Sequence, residues 1–558
     1  MMSDHPVVKK ISIIINTLNR ASLLENLLKS LRHLDYEEFE VVVVNGPSSD
    51  GTAELLVSWN DNIKIARCLE ANLSMSRNIG IAFAAGEILA FIDDDAIPEP
   101  EWLNQAVVAF DNDAVAGAGG PVFDHTGYTF QNKFVSATRL GHGIWHREFP
   151  TPYNCFPFAF EFPYLSGGNV LFRRSALIQI GGFDEEYQYY LDETDVCLRL
   201  IDAGFILRQL PNSFIHHKYA PSHIREHRIP KNRYPILKSK IYFSNRHGLD
   251  YFTQDEIDED NNAFIENSRV EIKKGISERL LDQQDLLDFE QHVIDALARG
   301  KQAAKMPQKL ITQKLLEMYA SPFKKFQSIQ CDGEQLTVVM LCENYVNTRG
   351  DANDFVSKKA ALDLAELGHK VHLITSGSEH ITVDFEDGIW VHRASFCDFI
   401  KTEHARDLGI PQDIWNKAKT YGAEVERISA YRTIDLVHAS LKDMLGVAVL
   451  LERKHPLVTS VDTYDINVLV SRADAVNDEC QGLDKTLTSL KLRIIRDSDG
   501  LVVDRDESVD KIRTLSDTGG ASNRPISSPQ DVAGLIQYYR RFIRDVRQTE
   551  AEHNDTGL

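Results

Sequence analysis

Three consecutive aspartates, Asp93, Asp94 and Asp95, are the strongest chemical signal in this chain of 558 residues. They directly follow an apolar run at residues 88–92, which predicts a buried strand. Three adjacent carboxylates repel one another, so the cluster is costly unless a cation or a positive ligand lies beside it. Ligands of open α/β sheets collect at the carboxyl ends of the strands. The triplet therefore predicts a divalent-metal site that serves a phosphate-bearing ligand.

Two loops at other predicted strand ends carry polar residues that can surround a nucleotide. One loop follows an apolar strand at residues 11–15, and the other follows a strand at residues 40–44. The base and ribose of a nucleotide would lie at such strand ends. Taken alone, the second loop is better explained as an ordinary turn rich in Gly, Pro and Ser. The candidate residues in these loops are Thr17, Asn19, Arg20, Asn45 and Asp50.

Arg77 and the pair Gly167-Gly168 are further candidates for contact with such a ligand. An arginine just before the triplet can bind a diphosphate, although it can equally be an ordinary residue of a helix surface. The two glycines would let a ligand approach the backbone closely, and the alternative is a tight turn between strands. Asn169 follows this pair directly and joins it as a candidate.

The segment 192–199 contains a cluster of acidic residues that has both a structural and a chemical explanation. Asp195 and Arg199 are four residues apart, so on a helix they pair on one face. Carboxylates in the first turn are also favoured by the helix dipole. This structural account explains Asp195 and Arg199 fully, but it explains the acid at Glu193 less well.

His216 and His217 follow a short predicted strand further along the chain. One histidine alone is usually a structural or a surface residue. Two histidines beside a predicted metal site favour a role as metal ligand, because imidazole is a common ligand of divalent metals.

The composition argues against several classes of protein. The chain has 61 basic and 82 acidic residues, and the net charge of −21 argues against a nucleic-acid surface, which needs a basic face. The seven cysteines are scattered without a CxxC pattern, which predicts reduced thiols in a cytoplasmic protein. No signal peptide precedes the first strand, and no apolar run has the length of a membrane span. Peripheral contact with the inner face of the membrane stays open.

The pattern of apolar residues predicts an α/β protein with two sheet-based domains. In the first, residues 9–249, continuous apolar strands alternate with helices, as in a Rossmann-like sheet that is covered on both faces. Residues 250–335 are predicted as a helical connector with a helix at 277–299. Residues 336–515 start a second Rossmann-like α/β pattern, and residues 516–558 form a polar tail that ends in a helix.

The order of the motifs resembles that of the family 2 glycosyltransferases, which have a GT-A fold with a mixed sheet. The resemblance covers residues 11–248, and its strength lies in the order and separation of the motifs, since each motif alone is weak. The matching segments are IIINTLNR, EVVVVNGPSSDGT, SMSRNIG, FIDDDA, YLSGGNVLFRR, GGFDE and DETDVCLRL.

The resemblance implies a metal site. Asp93 and Asp95 match the ends of the family's DxD motif and would hold Mg²⁺ or Mn²⁺ and, through it, the donor diphosphate. Asp94 would shape the loop or touch the ribose. His216, with His217 as the second choice, matches a histidine that completes the metal site in some relatives.

The resemblance also implies a catalytic base and a donor site. Glu193 matches the base, with Asp192 as the alternate because the family's usual order Glu-Asp is reversed here. Asn45 stands where many members carry an aspartate that contacts the base of the nucleotide, which leaves the identity of that base open. The implied donor-binding residues are Thr17, Asn19, Arg20, Asn45, Asp50, Arg77, Asp93, Asp94, Gly167, Gly168 and Asn169.

The implied activity is that of an inverting, metal-dependent glycosyltransferase of surface polysaccharide biosynthesis. It would move a sugar from a nucleotide-diphosphate sugar to a hydroxyl group of a saccharide or lipid-linked glycan, alone, as a homo-oligomer or with a partner glycosyltransferase. A non-catalytic carbohydrate-binding or scaffold protein and a nucleotidyltransferase are the alternatives. The intact Asp93, Asp95 and Glu193 argue against the scaffold, and the segment DETDVCLRL argues against the nucleotidyltransferase.

The second α/β pattern resembles the N-terminal half of a family 4 glycosyltransferase, which has a GT-B fold. The second half of that fold, which mainly binds the nucleotide sugar, has no match after residue 509. Gly350-Asp351 also departs from the usual Gly-Gly. The resemblance therefore implies a non-catalytic accessory domain, and it rests on ENYVNTRGDANDFVSKKAALDLAELGHKVHLIT, DLVHAS and HPLVTSVDT.

Overall fold

The computed structural model describes residues 8–220, 225–226, 229–230, 232–343, 358–377, 380–474, 483–516 and 525–555. The chain divides into two units, Met1–Ser328 and Ile329–Leu558, each with its own sheets and helices. Gly350-Asp351, where the sequence departs from the family 4 pattern, lies outside the described residues.

The first unit is an α/β structure built on four sheets. Its strands are β1 Ile11–Thr17, β2 Phe39–Asn45, β3 Lys64–Arg67, β4 Ile88–Asp93, β5 Ala96–Pro98, β6 Val115–Gly119, β7 Val122–Phe123, β8 Phe130–Asn132, β9 Phe134–Thr138, β10 Gly143–Arg147, β11 Glu161–Tyr164, β12 Asn169–Arg173, β13 Ile206–Gln209, β14 Ile215–His217, β15 Arg225–Glu226 and β16 Ile229–Pro230. Its α-helices are α1 Ala21–Leu31, α2 Thr52–Ser58, α3 Leu73–Phe83, α4 Trp102–Val107, α5 Arg174–Gln179, α6 Asp192–Asp202, α7 Tyr234–His247, α8 Gln254–Ser277, α9 Gln283–Ala304 and α10 Gln313–Tyr319, with 3-10 turns at Val108–Asp111 and Pro152–Asn154.

The central sheet has seven strands in the order β13-β6-β12-β4-β1-β2-β3. The strands β1, β2, β3 and β4 run parallel, and β12 runs antiparallel to β4. Residues on both faces of the parallel strands are buried, as Ile13, Ile14 and Val42 illustrate. This double burial explains why the sequence shows continuous apolar runs instead of an alternating pattern. The predicted mixed, Rossmann-like sheet is confirmed.

The helix predicted at 277–299 is present as α9, but it begins later, at Gln283, and continues to Ala304. The preceding helix α8, which ends at Ser277, was not predicted. Asp282 caps α9 by accepting hydrogen bonds from the backbone N–H groups of Gln284 and Asp285. This acidic N-cap fixes the start of α9.

The helices α8 and α9 pack against α7 within the first unit. Leu237 and Ile241 of α7 share an apolar cluster with Ile265 of α8 and with Phe289 and Val293 of α9. The region predicted as a connector therefore contributes a buried core of its own to this unit.

The last residues of the first unit return across the central sheet. The Phe326 backbone N–H donates to the carbonyl of Phe39 at 2.8 Å, and the Phe326 ring stacks on Phe39 and on Trp59 at centroid distances of 5.2 and 6.4 Å. Lys324 N donates to the buried Glu40 carboxylate at 2.9 Å. The segment up to Ser328 is therefore part of the folded unit.

The second unit is built on one eight-stranded sheet with the order β19-β20-β18-β17-β21-β22-β23-β24. Its strands are β17 Thr337–Leu341, β18 Lys370–Ser376, β19 Thr382–Glu386, β20 Ile389–Ala394, β21 Leu436–Ser440, β22 Leu457–Val461, β23 Gly500–Val503 and β24 Ile526–Ser527. Its helices are α11 Lys358–Glu366, α12 Glu403–Asp407, α13 Gln412–Ser429, α14 Val447–Glu452, α15 Thr463–Asp474, α16 Leu483–Asp497, α17 Glu507–Ser516 and α18 Val532–Asp555.

The sheet of the second unit is parallel except for the edge pair β19 and β20. The terminal helix α18 covers one of its faces, where Leu535, Tyr539 and Phe542 are buried against Val338 and Val502. A second α/β unit is thus present, as predicted. Across the residues that the structure describes, none of the helices combines the length and apolar composition needed to cross a membrane.

Candidate active site

The carboxyl ends of three neighbouring strands meet at one edge of the central sheet. Asn16 of β1 pairs with Asp93 of β4, and Thr17 of β1 pairs with Asn45 of β2. The antiparallel register of β12 on β4 aligns Asn169 with Ile92, which brings the preceding Gly168 beside Asp93. A cavity of about 370 Å³ opens at this edge, and its walls include all three aspartates of the triplet.

Asp93, Asp95 and His217 form a cluster that can hold a metal ion. One ligand atom from each residue lies within 4.8 Å of the others. The Asp95 carboxylate is 3.2 Å from His217 Nε2, and its other oxygen accepts the Ala220 backbone N–H at 2.8 Å. Two carboxylates and one imidazole suit Mn²⁺, and carboxylate oxygens suit Mg²⁺, so the donor set fits either predicted ion.

The histidine that faces the acids is His217, which corrects the sequence-based preference for His216. Both residues lie on β14, where successive side chains point to opposite faces. His216 Nε2 lies 2.7 Å from the Glu99 carboxylate, and its ring stacks on Phe123. Burial raises the cost of a charge on Asp95, but interactions with His217 and Arg20 outweigh it and lower the pKa of Asp95 to about 2.

Asp94 points away from this cluster toward the first loop. Its carboxylate accepts hydrogen bonds from Thr17 Oγ1 and Arg20 Nη1, both at 2.7 Å. Burial raises the pKa of Asp94 to about 6, although Arg20 and Thr17 work in the opposite direction. Asp94 therefore holds the first loop against the triplet, and Thr17 and Arg20 form part of the cavity wall.

Asp192 and Glu193 lie on the opposite wall of the cavity, at the start of α6. The buried Arg77 forms a close ion pair with Asp192, and its Nη1 is 3.7 Å from Glu193 Oε2. Tyr164 OH donates to Glu193 Oε1 at 2.9 Å. Two acids, one arginine and one phenol thus form a single hydrogen-bonded group.

The pKa values of the two acids shift in opposite directions. Burial raises the pKa of Asp192 well above its usual value, against the attraction of Arg77. Burial acts in the same sense on Glu193, but Arg77 and hydrogen bonds from Asp192 and Tyr164 lower the pKa of Glu193 overall. An ionised carboxylate that faces a cavity can accept a proton from a bound hydroxyl group.

Two strained residues aim this acidic pair. Tyr190 and Leu191 have φ values of 74° and 64°, in the left-handed region that non-glycine residues rarely adopt. Strained backbone of this kind persists only where the surrounding structure enforces it, and it clusters at functional sites. Leu191 is the N-cap of α6, so the strained turn fixes where Asp192 and Glu193 point.

Gly167 and Gly168 separate the two acidic groups. A Cβ atom at Gly167 would lie 2.9 Å from Glu193 Oε1 and 2.8 Å from Arg77 Nη2. A Cβ atom at Gly168 would lie 2.6 Å from Asp93 Oδ2. A side chain at either position would displace the acid beside it, so the two glycines let the backbone pass closely between Asp93 and Glu193.

With this geometry established, the chain can be compared with known proteins. Residues 12–181 match the family model described as Glycosyl transferase family 2. The matched segment contains the Asp triplet and Gly167-Gly168, whereas Glu193 and His217 lie beyond its end. The mixed, Rossmann-like sheet that the motifs predicted extends beyond this segment to β13.

Two curated relatives and one solved structure illustrate the similarity. The chain is 29% identical over 223 residues to "O-antigen biosynthesis protein RfbC" of Myxococcus xanthus, covering 38% of this chain and 17% of the relative. It is 26% identical over 216 residues to "Glucosyl-dolichyl phosphate glucuronosyltransferase" of Haloferax volcanii, covering 35% of this chain and 64% of the relative. The chain thus spans less than two thirds of either relative. A mannosyltransferase from Pyrobaculum calidifontis, solved with GDP-Man and Mn²⁺, aligns with a TM-score of 0.33 and 16% identity over 53% of this chain and 88% of that one.

Several donor-binding candidates of the family 2 motifs lie outside the cavity wall, where hydrogen bonds of the fold engage them. Asn19 accepts the Ser49 backbone N–H, Asn45 accepts Ser48 Oγ, and Asp50 accepts the backbone N–H groups of Ala21 and Thr52. These hydrogen bonds hold the two loops in place.

Asn169 is fully buried, which corrects its assignment to the donor site. It accepts Trp102 Nε1–H at 2.7 Å and donates to the carbonyls of Pro121 and Ser213 at 3.1 and 2.9 Å. Every polar atom of this amide is therefore engaged inside the fold, and a ligand in the cavity cannot reach it.

Tyr164 and Trp145 are among the cavity residues that sequence reasoning did not identify. Tyr164 begins the quoted segment YLSGGNVLFRR, so its place next to the glycine pair was a usable signal. Trp145 carries no such signal, because the pairing of β10 with β9 brings it to the cavity.

Proposed function

We propose that the chain is an inverting, metal-dependent glycosyltransferase. It transfers a sugar from a nucleotide-diphosphate sugar to a hydroxyl group of a saccharide or glycan acceptor in surface polysaccharide biosynthesis. The observation that carries this proposal is the arrangement around Gly167-Gly168. Gly168 lies against Asp93 and Gly167 lies against Glu193, and both acids line a single cavity.

Proton removal from the acceptor takes place at the wall that carries Glu193, and the diphosphate leaves at the wall that carries Asp93, Asp95 and His217. Glu193 accepts the proton of the acceptor hydroxyl as its oxygen forms a bond to the anomeric carbon of the donor sugar. The bond from that carbon to the diphosphate breaks, and its electron pair leaves with the nucleoside diphosphate. Attack from the face opposite the leaving group inverts the anomeric centre.

The leaving diphosphate is assigned to the wall that carries Asp93, Asp95 and His217. These residues would hold Mg²⁺ or Mn²⁺, and the bound ion would supply positive charge to the departing phosphate oxygens. Thr17, Arg20 and Asp94 line the adjoining wall and would contact the nucleoside. The name of the Myxococcus xanthus relative supports a role in O-antigen or other surface polysaccharides.

Donor binding provides the direct test of this function. We expect the melting temperature of the full chain to rise with one of a panel of UDP-, GDP- and dTDP-sugars, and only when Mn²⁺ or Mg²⁺ is present, because a ligand that binds the folded state stabilises it by mass action. The same panel with EDTA is the control. If no donor stabilises the protein with either metal, the enzymatic proposal is wrong and the scaffold alternative gains support.

We propose further that the second unit, Ile329–Leu558, is an accessory domain related to the N-terminal half of family 4 enzymes. It would bind the acceptor or a partner without taking part in the transfer chemistry. The seven residues of the cavity that we assign to donor, metal and base all lie before residue 218.

A truncated chain tests this division. We expect residues 1–328 alone to retain metal-dependent stabilisation by the donor, because the core and the cavity of the first unit lie within these residues. The fragment of residues 1–304 is the matched control. It lacks the contacts of Phe326 with Phe39 and Trp59, so it should melt at a lower temperature than the 1–328 fragment. A folded 1–328 fragment that no longer responds to donor and metal would contradict the accessory role.

A further inference from the structure

One aromatic side chain stands out in the wall of the cavity. Trp145 of β10 lines the cavity and keeps 47% of its surface exposed, although tryptophan is usually largely buried. The wall of the same cavity carries both apolar residues and polar ones, among the latter Asn72, Gln188 and Glu193. An exposed indole in such a mixed wall offers an apolar face to a ligand that also has polar groups.

The indole is held in a defined place. Gly143 lies beneath it, since a Cβ atom there would be 2.7 Å from Trp145 Nε1. Trp145 also packs edge-to-face on Tyr164, with ring centroids 5.9 Å apart and planes at 79°. This is a favourable geometry for two aromatic rings.

The same tyrosine connects the indole to the catalytic base. Tyr164 OH donates to Glu193 Oε1 at 2.9 Å, so one ring contacts Trp145 and holds the carboxylate. A ligand that lies on the indole is therefore separated from Glu193 by a single tyrosine ring.

We propose that Trp145 is a stacking platform for the terminal pyranose ring of the acceptor, and this inference rests on the proposed transferase function. A pyranose ring has an apolar C–H face and a rim of hydroxyl groups. The C–H face would lie on the indole, and one rim hydroxyl would point toward Glu193 and be the nucleophile. The acceptor is thus a saccharide whose non-reducing sugar occupies this subsite.

A lipid chain fits this part of the cavity less well. A group of exposed aromatic residues follows Trp145 in the chain, and it is outside the cavity wall: Phe149, Tyr153, Phe156 and Phe158. The polar groups of the cavity wall would have to be buried against an alkyl chain without hydrogen-bond partners, which is costly. Stacked sugar hydroxyls can instead satisfy these groups.

Two substitutions test the platform, with methyl hexopyranosides and hexose disaccharides as acceptors and the donor that stabilises the wild-type protein. We expect Trp145→Ala to raise the acceptor KM by about 3- to 10-fold, which corresponds to the worth of a favourable aromatic contact. The larger part of the effect should fall on KM and not on kcat. Trp145→Phe should restore most of the acceptor affinity, because it keeps an aromatic face.

Phe149→Ala is the matched control, since Phe149 lies in the same segment, is 79% exposed and is outside the cavity wall. It should leave the acceptor KM unchanged. Saccharide binding should also change the tryptophan fluorescence of the wild-type chain, and Trp145→Phe should remove this change. Melting temperatures of all three variants exclude loss of fold as the cause.

The results separate failure of this inference from failure of the enzymatic proposal. If no donor stabilises the wild-type chain, both the enzymatic proposal and the stacking inference are wrong. A wild-type chain that turns over a donor but accepts none of the saccharides overturns the saccharide acceptor alone. An unchanged acceptor KM in Trp145→Ala also overturns it. With a lipid-linked acceptor, Phe149→Ala could raise the acceptor KM more than Trp145→Ala does. That result would also overturn the inference, and it would assign the exposed aromatic residues after Trp145 to lipid binding.

Discussion

Glu193→Gln is expected to abolish sugar transfer while donor binding survives. Glutamine has the same shape and can still accept the hydrogen bond from Tyr164 OH, but it cannot take a proton from the acceptor. Loss of a general base costs about 10²- to 10⁴-fold in rate, and we expect a loss in that range. Initial rates of transfer at saturating donor and Mn²⁺ measure it, and thermal shifts with donor and Mn²⁺ verify that binding persists.

Asp192→Asn is the matched variant, because it changes the neighbouring carboxylate in the same way. Asp192 is 1% exposed and forms the close ion pair with Arg77, so its loss should mainly lower the melting temperature. Removing one partner of a buried ion pair is destabilising because the other charge is left unpaired. If Asp192→Asn lowers kcat more than Glu193→Gln in protein that is still folded, the base is Asp192 and the assignment is off by one residue.

The sequence alone predicted the elements and motifs that depend on local pattern. Apolar runs such as residues 11–15 and 88–92 are recognisable because both faces of a parallel strand are buried. Asp93 and Asp95 could be selected as candidate ligands because adjacent carboxylates directly after such a strand repel one another. Glu193 could be selected as a candidate because helix capping left it unexplained.

The sequence could not predict which side chain points into the cavity. His216 and His217 are adjacent and alike, and only the register of β14 on β5 decides that His217 faces Asp95. Asn169 stands next to the glycine pair, but the pairing of β12 with β4 and β6 turns it into the buried interior. Such choices depend on pairing between distant segments, which spacing within one segment does not encode.

Trp145 is subject to the same limit, whereas the start of α9 at Gln283 depends on a local cap. Trp145 reaches Tyr164 only because β10 and β11 both pair with β9. The cap is Asp282, which is one acidic residue among many in that region. A local cap fixes where a helix begins, because it satisfies backbone N–H groups that would otherwise remain unpaired.

Asp95→Asn is expected to abolish metal-dependent turnover with little change in the fold. The amide retains an oxygen that can accept the Ala220 backbone N–H, but it loses the negative charge that the ion requires. Changes in residues that only support a metal ligand cost 10- to 100-fold in metal affinity or activity, so loss of a ligand itself should reduce turnover by about 100-fold or more at fixed Mn²⁺. Rates measured across a Mn²⁺ titration, together with melting curves, test this expectation.

The histidine pair supplies the matched control for this metal site. His217→Asn should raise the Mn²⁺ concentration for half-maximal rate by about 10- to 100-fold, because it removes a ligand atom from the cluster. His216→Asn should leave that concentration unchanged and lower the melting temperature, because His216 is buried between Glu99 and Phe123. A shift in the metal requirement with His216→Asn but not with His217→Asn would restore the choice made from sequence. Full turnover by Asp95→Asn would show that the Asp triplet does not bind the metal. The repulsion among its three carboxylates would then have to be offset by Arg20 and by protonation of Asp94.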